Sequence, residues 1–291
     1  MLTRRNFLGS VVGGAAVGAG LGTRELLSAA ALAWSGPIGL ELYTVRELFA
    51  QDPAGTLKQV AAVGYKEVEV GPSVKPASLN PDLRAAGLNA PSGYFDVPTT
   101  IEDWKKTVEM GKSFGLHYLV VGDNPHLDAD AWMRRADLFN QCGKISLTAG
   151  MQFCYHAHFR EFAPLGNTCG YDIMLTHCDA KLLKMEMDVF WAAYAGVDPV
   201  AYFGHYPGRF PLLHIKDFKK GFKGSTTDDP PDSGPNPFVP VGTGSINWQR
   251  IFAHASQAGA KHIFVEQDRC DLPAIESIKI SFDYLRNLRL A

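Results

Sequence analysis

Five times along this 291-residue chain a small or apolar residue is followed by glycine and then by an apolar residue that opens a β-rich run. The five sites are Val63-Gly64-Tyr65, Ala86-Gly87-Leu88, Phe114-Gly115-Leu116, Ala149-Gly150-Met151 and Ala258-Gly259-Ala260. Glycine enters the left-handed region without a steric penalty, so it ends a helix cheaply. A strand-like run follows each site, at 67–70, 88–90, 118–121, 152–155 and 262–265, and a segment with helical spacing precedes it. Asp52-Pro53 reads as the cap of one such helix, with Leu57, Val60 and Ala61 on its apolar face. Ser245-Ile246-Asn247 opens another, with Trp248, Ile251, Phe252 and Ala255 facing inward.

Adding the runs 38–43, 183–188 and 212–215 gives eight candidate strands, ending near Tyr43, Val70, Tyr94, Val121, His156, Asp188, His214 and Glu266. Successive ends lie 24 to 35 residues apart, the length of a strand-helix-strand unit, except for a final gap of 52. That gap holds residues 221–244, rich in Pro, Gly, Asp, Ser and Thr, and reads as a long surface loop. Eight regular units predict an α/β fold closed into a (β/α)8 barrel, with an open doubly wound sheet as the alternative. No GxGxxG follows the first strand, and Gly242-Thr243-Gly244-Ser245 reads as a turn with a cap rather than an anion site.

The start of the chain reads as an address. Arg4-Arg5 stand ahead of an apolar stretch from Val11 to Leu21, and Ala31-Leu32-Ala33 offers small residues for a signal peptidase. This resembles a twin-arginine signal over residues 1–33, leaving a single domain over 34–291 and an exported, periplasmic protein. An uncleaved anchor is the other reading, although Arg24 and Glu25 interrupt the apolar run. Formal net charge is -2, and no global basic field invites nucleic acid. The five cysteines lack close CxxC pairing, which argues against a disulfide scaffold or a cysteine-rich zinc site.

Chemistry in such a barrel sits where strands end. There the sequence carries Tyr155-His156-Ala157-His158, then Glu186-Met187-Asp188, His214-Ile215-Lys216-Asp217 and Val265-Glu266-Gln267-Asp268. His156, Asp188, His214 and Glu266 fall at one level of four consecutive strands. Two imidazoles and two carboxylates make an N/O set suited to Mn, Co, Zn, Fe or Mg and poorly suited to Ca. A ring of polar residues satisfying one another without metal is the competing interpretation.

These residues resemble the xylose isomerase-like TIM-barrel superfamily, the sugar phosphate isomerase/epimerase group. The resemblance runs through Gly39-Leu40-Glu41-Leu42-Tyr43-Thr44-Val45-Arg46, the Tyr-His-x-His segment with Glu161-Phe162, Asp188-Val189-Phe190-Trp191, Asp198-Pro199, Arg209, and the strand-seven and strand-eight motifs above. It implies one divalent metal on Asp188, His214 and Glu266, with His156 where many members have a first glutamate. It also implies proton abstraction beside a sugar carbonyl, with the metal stabilising the developing enediolate. His158, Glu69 and Glu266 are the candidate bases, Lys216 supplies charge or a proton, and Tyr43, Arg46, Glu161 and Trp191 bind substrate. The leading expectation is an isomerase or epimerase acting on a small sugar or cyclitol. The alternatives are a lyase or dehydratase eliminating from keto-sugars, keto-inositols or 3-keto-glycosides, and a non-catalytic exported sugar-binding barrel. Expected partners are the substrate, the twin-arginine export machinery and a second copy of the chain, with no nucleic acid.

Overall fold

A computed structural model describes residues 31–71, 76–227 and 235–290. Of the expected twin-arginine signal over residues 1–33, residues 1–30 lie outside the described residues. Eight parallel strands form a closed barrel in chain order: β1 Gly39–Glu41, β2 Glu67–Val70, β3 Asn89–Phe95, β4 Tyr118–Asp123, β5 Gln152–Ala157, β6 Leu183–Asp188, β7 Leu212–Ile215 and β8 His262–Val265. β8 closes back on β1 through Gly39 opposite Phe264 and Leu40 opposite Val265. The barrel, rather than the open sheet, is therefore the architecture.

The five punctuating glycines all take positive φ, from 70° at Gly87 to 128° at Gly64. Gly115 (φ 81°) shows the physics: it follows helix Ile101–Phe114, and its amide closes the last turn onto the Gly111 and Lys112 carbonyls. The Asp52 carboxylate caps helix Pro53–Val63 through the Gly55 amide, and Asn247 caps Trp248–Ala253 through the Arg250 amide. Two strand limits differ from the sequence reading. β1 stops at Glu41, because residues 42–45 turn into a 3-10 helix whose Tyr43 amide is held by the Glu41 side chain. β3 runs to Phe95, one residue beyond the expected end near Tyr94.

Alternating side chains divide the apolar residues into two layers. Outward ones pack under the helices: Phe153 meets the rings of Trp104 and Phe139 at 4.7 and 5.2 Å. Inward ones form a separate cluster of Val120, Cys154, Leu212 and Phe264, a floor across the barrel interior. The ring of acids and histidines lies above that floor, and the Glu67–His262 pair, 2.8 Å apart, lies at the opposite end of the strands. All five cysteines are free thiols, and no helix among the described residues is long and apolar enough to cross a membrane. Ala31 and Ala33 are tied into this body: the Ala33 amide donates to Leu288 O, and the Leu290 amide to Ala31 O.

The long connection after β7 is less free than its composition implies. Residues Asp217–Phe218 and Phe238–Val239 pair as a short antiparallel ladder. The buried Asp217 carboxylate accepts from the amides of Phe218, Gly242, Gly244, Ser245 and Ile246 and from Trp248 Nε1. The Gly242–Ser245 turn does cradle an anion, and the anion is this side chain. Asp217→Asn puts amide hydrogens against those donors. It should cost about 2–4 kcal/mol in urea unfolding and expose residues 235–247 to proteolysis; unchanged stability would remove Asp217 as the anchor.

Candidate active site

Side chains two residues apart on a strand share a face, so Asp188 on β6 brings Glu186 with it, and His214 on β7 brings Lys216 just beyond the strand end. Register completes the ring: Glu41 lies opposite Glu69, Glu69 opposite Ser92, His156 opposite Glu186, and Asp188 opposite His214. Glu41, Glu69, His156, Glu186, Asp188, His214, Lys216 and Glu266 are all buried.

His214 stands between two groups of acids. Its Nδ1 lies 2.8 Å from Glu266 Oε2 and 4.0 Å from Asp188 Oδ2. Its Nε2 lies 2.7 Å from Glu69 Oε2 and 3.3 Å from Glu186 Oε2. His156 presents Nε2 at 3.9 Å from Asp188 Oδ2, and its Nδ1 is held 3.0 Å from Glu186 Oε2. The two imidazole rings are 4.6 Å apart, centroid to centroid. Glu186 thus grips the back nitrogen of both histidines, leaving Nε2 of His156 and Nδ1 of His214 facing Asp188 and Glu266. That is how metal-binding imidazoles are fixed in one tautomer and one orientation.

Asp188 divides its oxygens. Oδ1 caps helix Val189–Tyr194 through the Trp191 amide at 2.9 Å. Oδ2 is buried and accepts no hydrogen bond, although Lys216 Nζ lies 3.2 Å away. Lys216 also reaches Glu266 Oε2 and Asp268 Oδ1, each at 2.8 Å, and sits 5.3 Å from the centre of the Trp191 ring. Ligand atoms of Asp188, His214 and Glu266 lie within 4.8 Å of one another. With an orphaned carboxylate oxygen and imidazoles already clamped from behind, this set fits a divalent cation.

Charge sets the protonation. Burial opposes the His214 imidazolium, yet Glu186, Glu266 and Glu69 overcome it and hold the pKa well above the usual value. Lys216 is likewise disfavoured by burial and kept charged by Asp188, Asp268 and Glu266. Burial lowers His156 and His158, helped by His214 beside the first and Lys216 beside the second. Both are neutral near pH 7. A cation taken up at Nδ1 of His214 would displace a proton there.

Among the other expected site residues, His158 is half-buried above His156, with ring centroids 4.9 Å apart, and its Nδ1 is 3.1 Å from Asp123 O. A neutral ring must donate Nδ1–H to that carbonyl, which leaves Nε2 as a free base. Trp191 borders it at 5.5 Å, with an indole N–H that is buried and without a partner. Tyr43 is half exposed after β1, and the Arg46 guanidinium stacks 4.1 Å over its ring. Glu69 sits on the Nε2 side of His214, fully buried and bonded to Ser92, rather than at the strand ends with Glu266. Glu161 is also fully buried, bonded through Oε1 to the outward-facing Tyr155, away from the ring of acids. Sequence reading did not single out Glu41, Glu186 or Asp268. The signal for Glu186 was present in its spacing of two from Asp188.

Burial raises Glu161 to about 7, against stabilising contacts from its own amide, Tyr155 and the His158 amide. A carboxyl raised from 4.5 to about 7 binds more protons folded than unfolded, so stability falls as pH rises between those values. Glu161→Gln should flatten the fall by on the order of 3 kcal/mol, read as the difference from wild type in urea midpoints at pH 5 and 8. Parallel curves for the two proteins would contradict this.

Comparison with known proteins agrees with the architecture. The family described as xylose isomerase-like TIM barrel matches residues 57–288. An inosose dehydratase of Lacticaseibacillus casei is 25% identical over 189 residues, 56% of this chain and 63% of that protein. The chain therefore matches less than two thirds of the length of that curated relative. A crystal structure of a sugar phosphate isomerase/epimerase from Parabacteroides distasonis is 25% identical, with TM-score 0.72, over 89% of this chain and 97% of that one. The IolI protein with a binding zinc atom shares the fold at 14% identity and TM-score 0.64, covering 85% and 95%.

Proposed function

The chain belongs to the xylose isomerase-like TIM-barrel family, and from that premise and the site's donor set we propose a metal-dependent carbon–oxygen lyase acting on a neutral keto-cyclitol or keto-sugar. His156, Asp188, His214 and Glu266 would hold one divalent ion of the Mn, Co, Zn, Fe or Mg class, whose Lewis acidity supports charge building on the substrate carbonyl oxygen. The observation that carries the reading is the free Nε2 of His158 beside those ligands. Nε2 takes the proton from the carbon next to the carbonyl. On one face of the ring it also returns that proton to the departing oxygen: C–H and C–O break, C=C forms, and water or an alcohol leaves.

Epimerisation needs a second proton carrier on the opposite face. Glu266 is tied to Lys216 and His214, and Glu69 to Ser92 and His214, so neither stands free for that work. Lys216 Nζ supplies fixed positive charge and a donor toward substrate oxygens, and Trp191 Nε1 offers another. The inosose dehydratase relatives support elimination. The isomerase reading is kept because the Parabacteroides structure covers 89% of this chain.

Asp188→Ala should empty the site formed by His156, Asp188, His214 and Glu266 and abolish turnover. His158→Gln should retain metal and lose about 10²–10⁴-fold in kcat. The deciding experiment incubates metal-loaded protein with 2-keto-myo-inositol and with 3-keto-glycosides in D₂O. Loss of water or aglycone supports the lyase. Deuterium in a recovered isomer with no such loss supports isomerisation, and neither product leaves a sugar-binding barrel.

We also propose export through the twin-arginine route, on the strength of Arg4-Arg5 and the apolar stretch behind them. Replacing both arginines by lysine should move the protein from the periplasmic to the cytoplasmic fraction. An unchanged distribution would refute the route.

A further inference from the structure

The ion discussed so far uses the Nδ1 side of His214. The opposite side opens on three more acids, Glu41, Glu69 and Glu186, at 5%, 0% and 0% exposure. Ligand atoms of Glu41, Glu69 and His214 lie within 4.8 Å of one another. Glu69 Oε2 and Glu186 Oε2 approach the same Nε2 at 2.7 and 3.3 Å.

The donors available there do not match this charge. Glu41 Oε1 receives the Tyr43 amide at 3.3 Å, Glu69 Oε1 the Ser92 hydroxyl, and Glu186 Oε2 faces His156 Nδ1. Glu41 Oε2 and Glu186 Oε1 are buried and have no hydrogen-bond partner. Among the described residues, neither lysine nor arginine pairs with any of the three acids; Lys216 is committed to Asp188, Glu266 and Asp268. Isolated buried carboxylates are costly, and a set of them persists where a positive charge joins them. Donor atoms around one ion with bonds of about 2.0–2.4 Å lie no more than about 4.8 Å apart, a limit that the Glu41, Glu69 and His214 atoms meet.

We propose that Glu41 and Glu69, with Glu186 beside them, bind a second divalent cation on the Nε2 side of His214. All-carboxylate donors select the hard Mg²⁺ and Mn²⁺ class over softer ions. The His214 ring then stands between two ions, and the second neutralises the acids that orient the ligands of the first. The inference rests on the metal reading above only for the total number of ions expected.

Mn²⁺ titration of the metal-stripped full chain tests it, with metal counted by elemental analysis after gel filtration and paramagnetic resonance recorded at one and two equivalents. Wild type should hold two Mn²⁺ per chain, with spin coupling at the second equivalent. Glu41→Gln and Asp188→Asn should each hold one, uncoupled. One Mn²⁺ in wild type, kept by Glu41→Gln and lost by Asp188→Asn, overturns the second site and leaves the first. No Mn²⁺ in wild type overturns both. Should Glu41→Gln fail to fold, the wild-type count and coupling decide alone.

Discussion

The organising constraint is an excess of buried negative charge in the upper half of the barrel. Glu41, Glu69, Glu186, Asp188, Glu266 and Asp268 converge on Lys216 and His214. In a low-dielectric interior each unbalanced carboxylate either takes a proton or recruits a cation. Burial and neighbouring acids push Glu41 and Glu186 well above the usual carboxylate range, while Lys216 and His214 hold Glu266 well below it. Glu266 is therefore ionised on one side of His214, and Glu41 and Glu186 are reluctant to ionise on the other. His214 is the divider because it touches both sets.

The fold delivers this arrangement with few devices. A floor of Val120, Cys154, Leu212 and Phe264 seals the barrel below the acids. One oxygen of Asp188 caps a helix, which leaves the other with a fixed direction. One backbone carbonyl, that of Asp123, fixes the tautomer of His158. Asp217, next to Lys216 in sequence, gathers the long connection by six hydrogen bonds and so secures the strand end that carries the lysine.

Strand number and order were legible because glycine punctuation and a repeat near 30 residues depend on local physics alone. His156, Asp188, His214 and Glu266 were legible because a polar residue at the end of an apolar run is conspicuous. Glu41 was not, since an acid inside a strand reads as a solvated face until closure of the barrel is known, and Glu186 was legible only through its spacing of two from Asp188. The roles of Glu69 and Glu161 turn on which side of a ring or strand they meet, His214 Nε2 and outward Tyr155 respectively. Sequence spacing does not encode that. The Gly242–Ser245 turn was recognisable, but its anion comes from a residue 25 positions upstream of Gly242.

The histidine at position 156 ties these observations to reactivity. A carboxylate there would add one more negative charge and one more proton carrier among the acids. An imidazole adds neither: its Nδ1 is spoken for by Glu186, and burial keeps the ring neutral. Exchange of a proton with opposite faces of a carbon then loses one of its two agents. What remains is a single reachable base on a neutral ring, beside a lysine whose charge three carboxylates enforce. Under the proposed lyase reading, such a pairing would remove a proton, stabilise the negative charge that follows, and favour expulsion of a neighbouring oxygen over delivery of a proton to the far face.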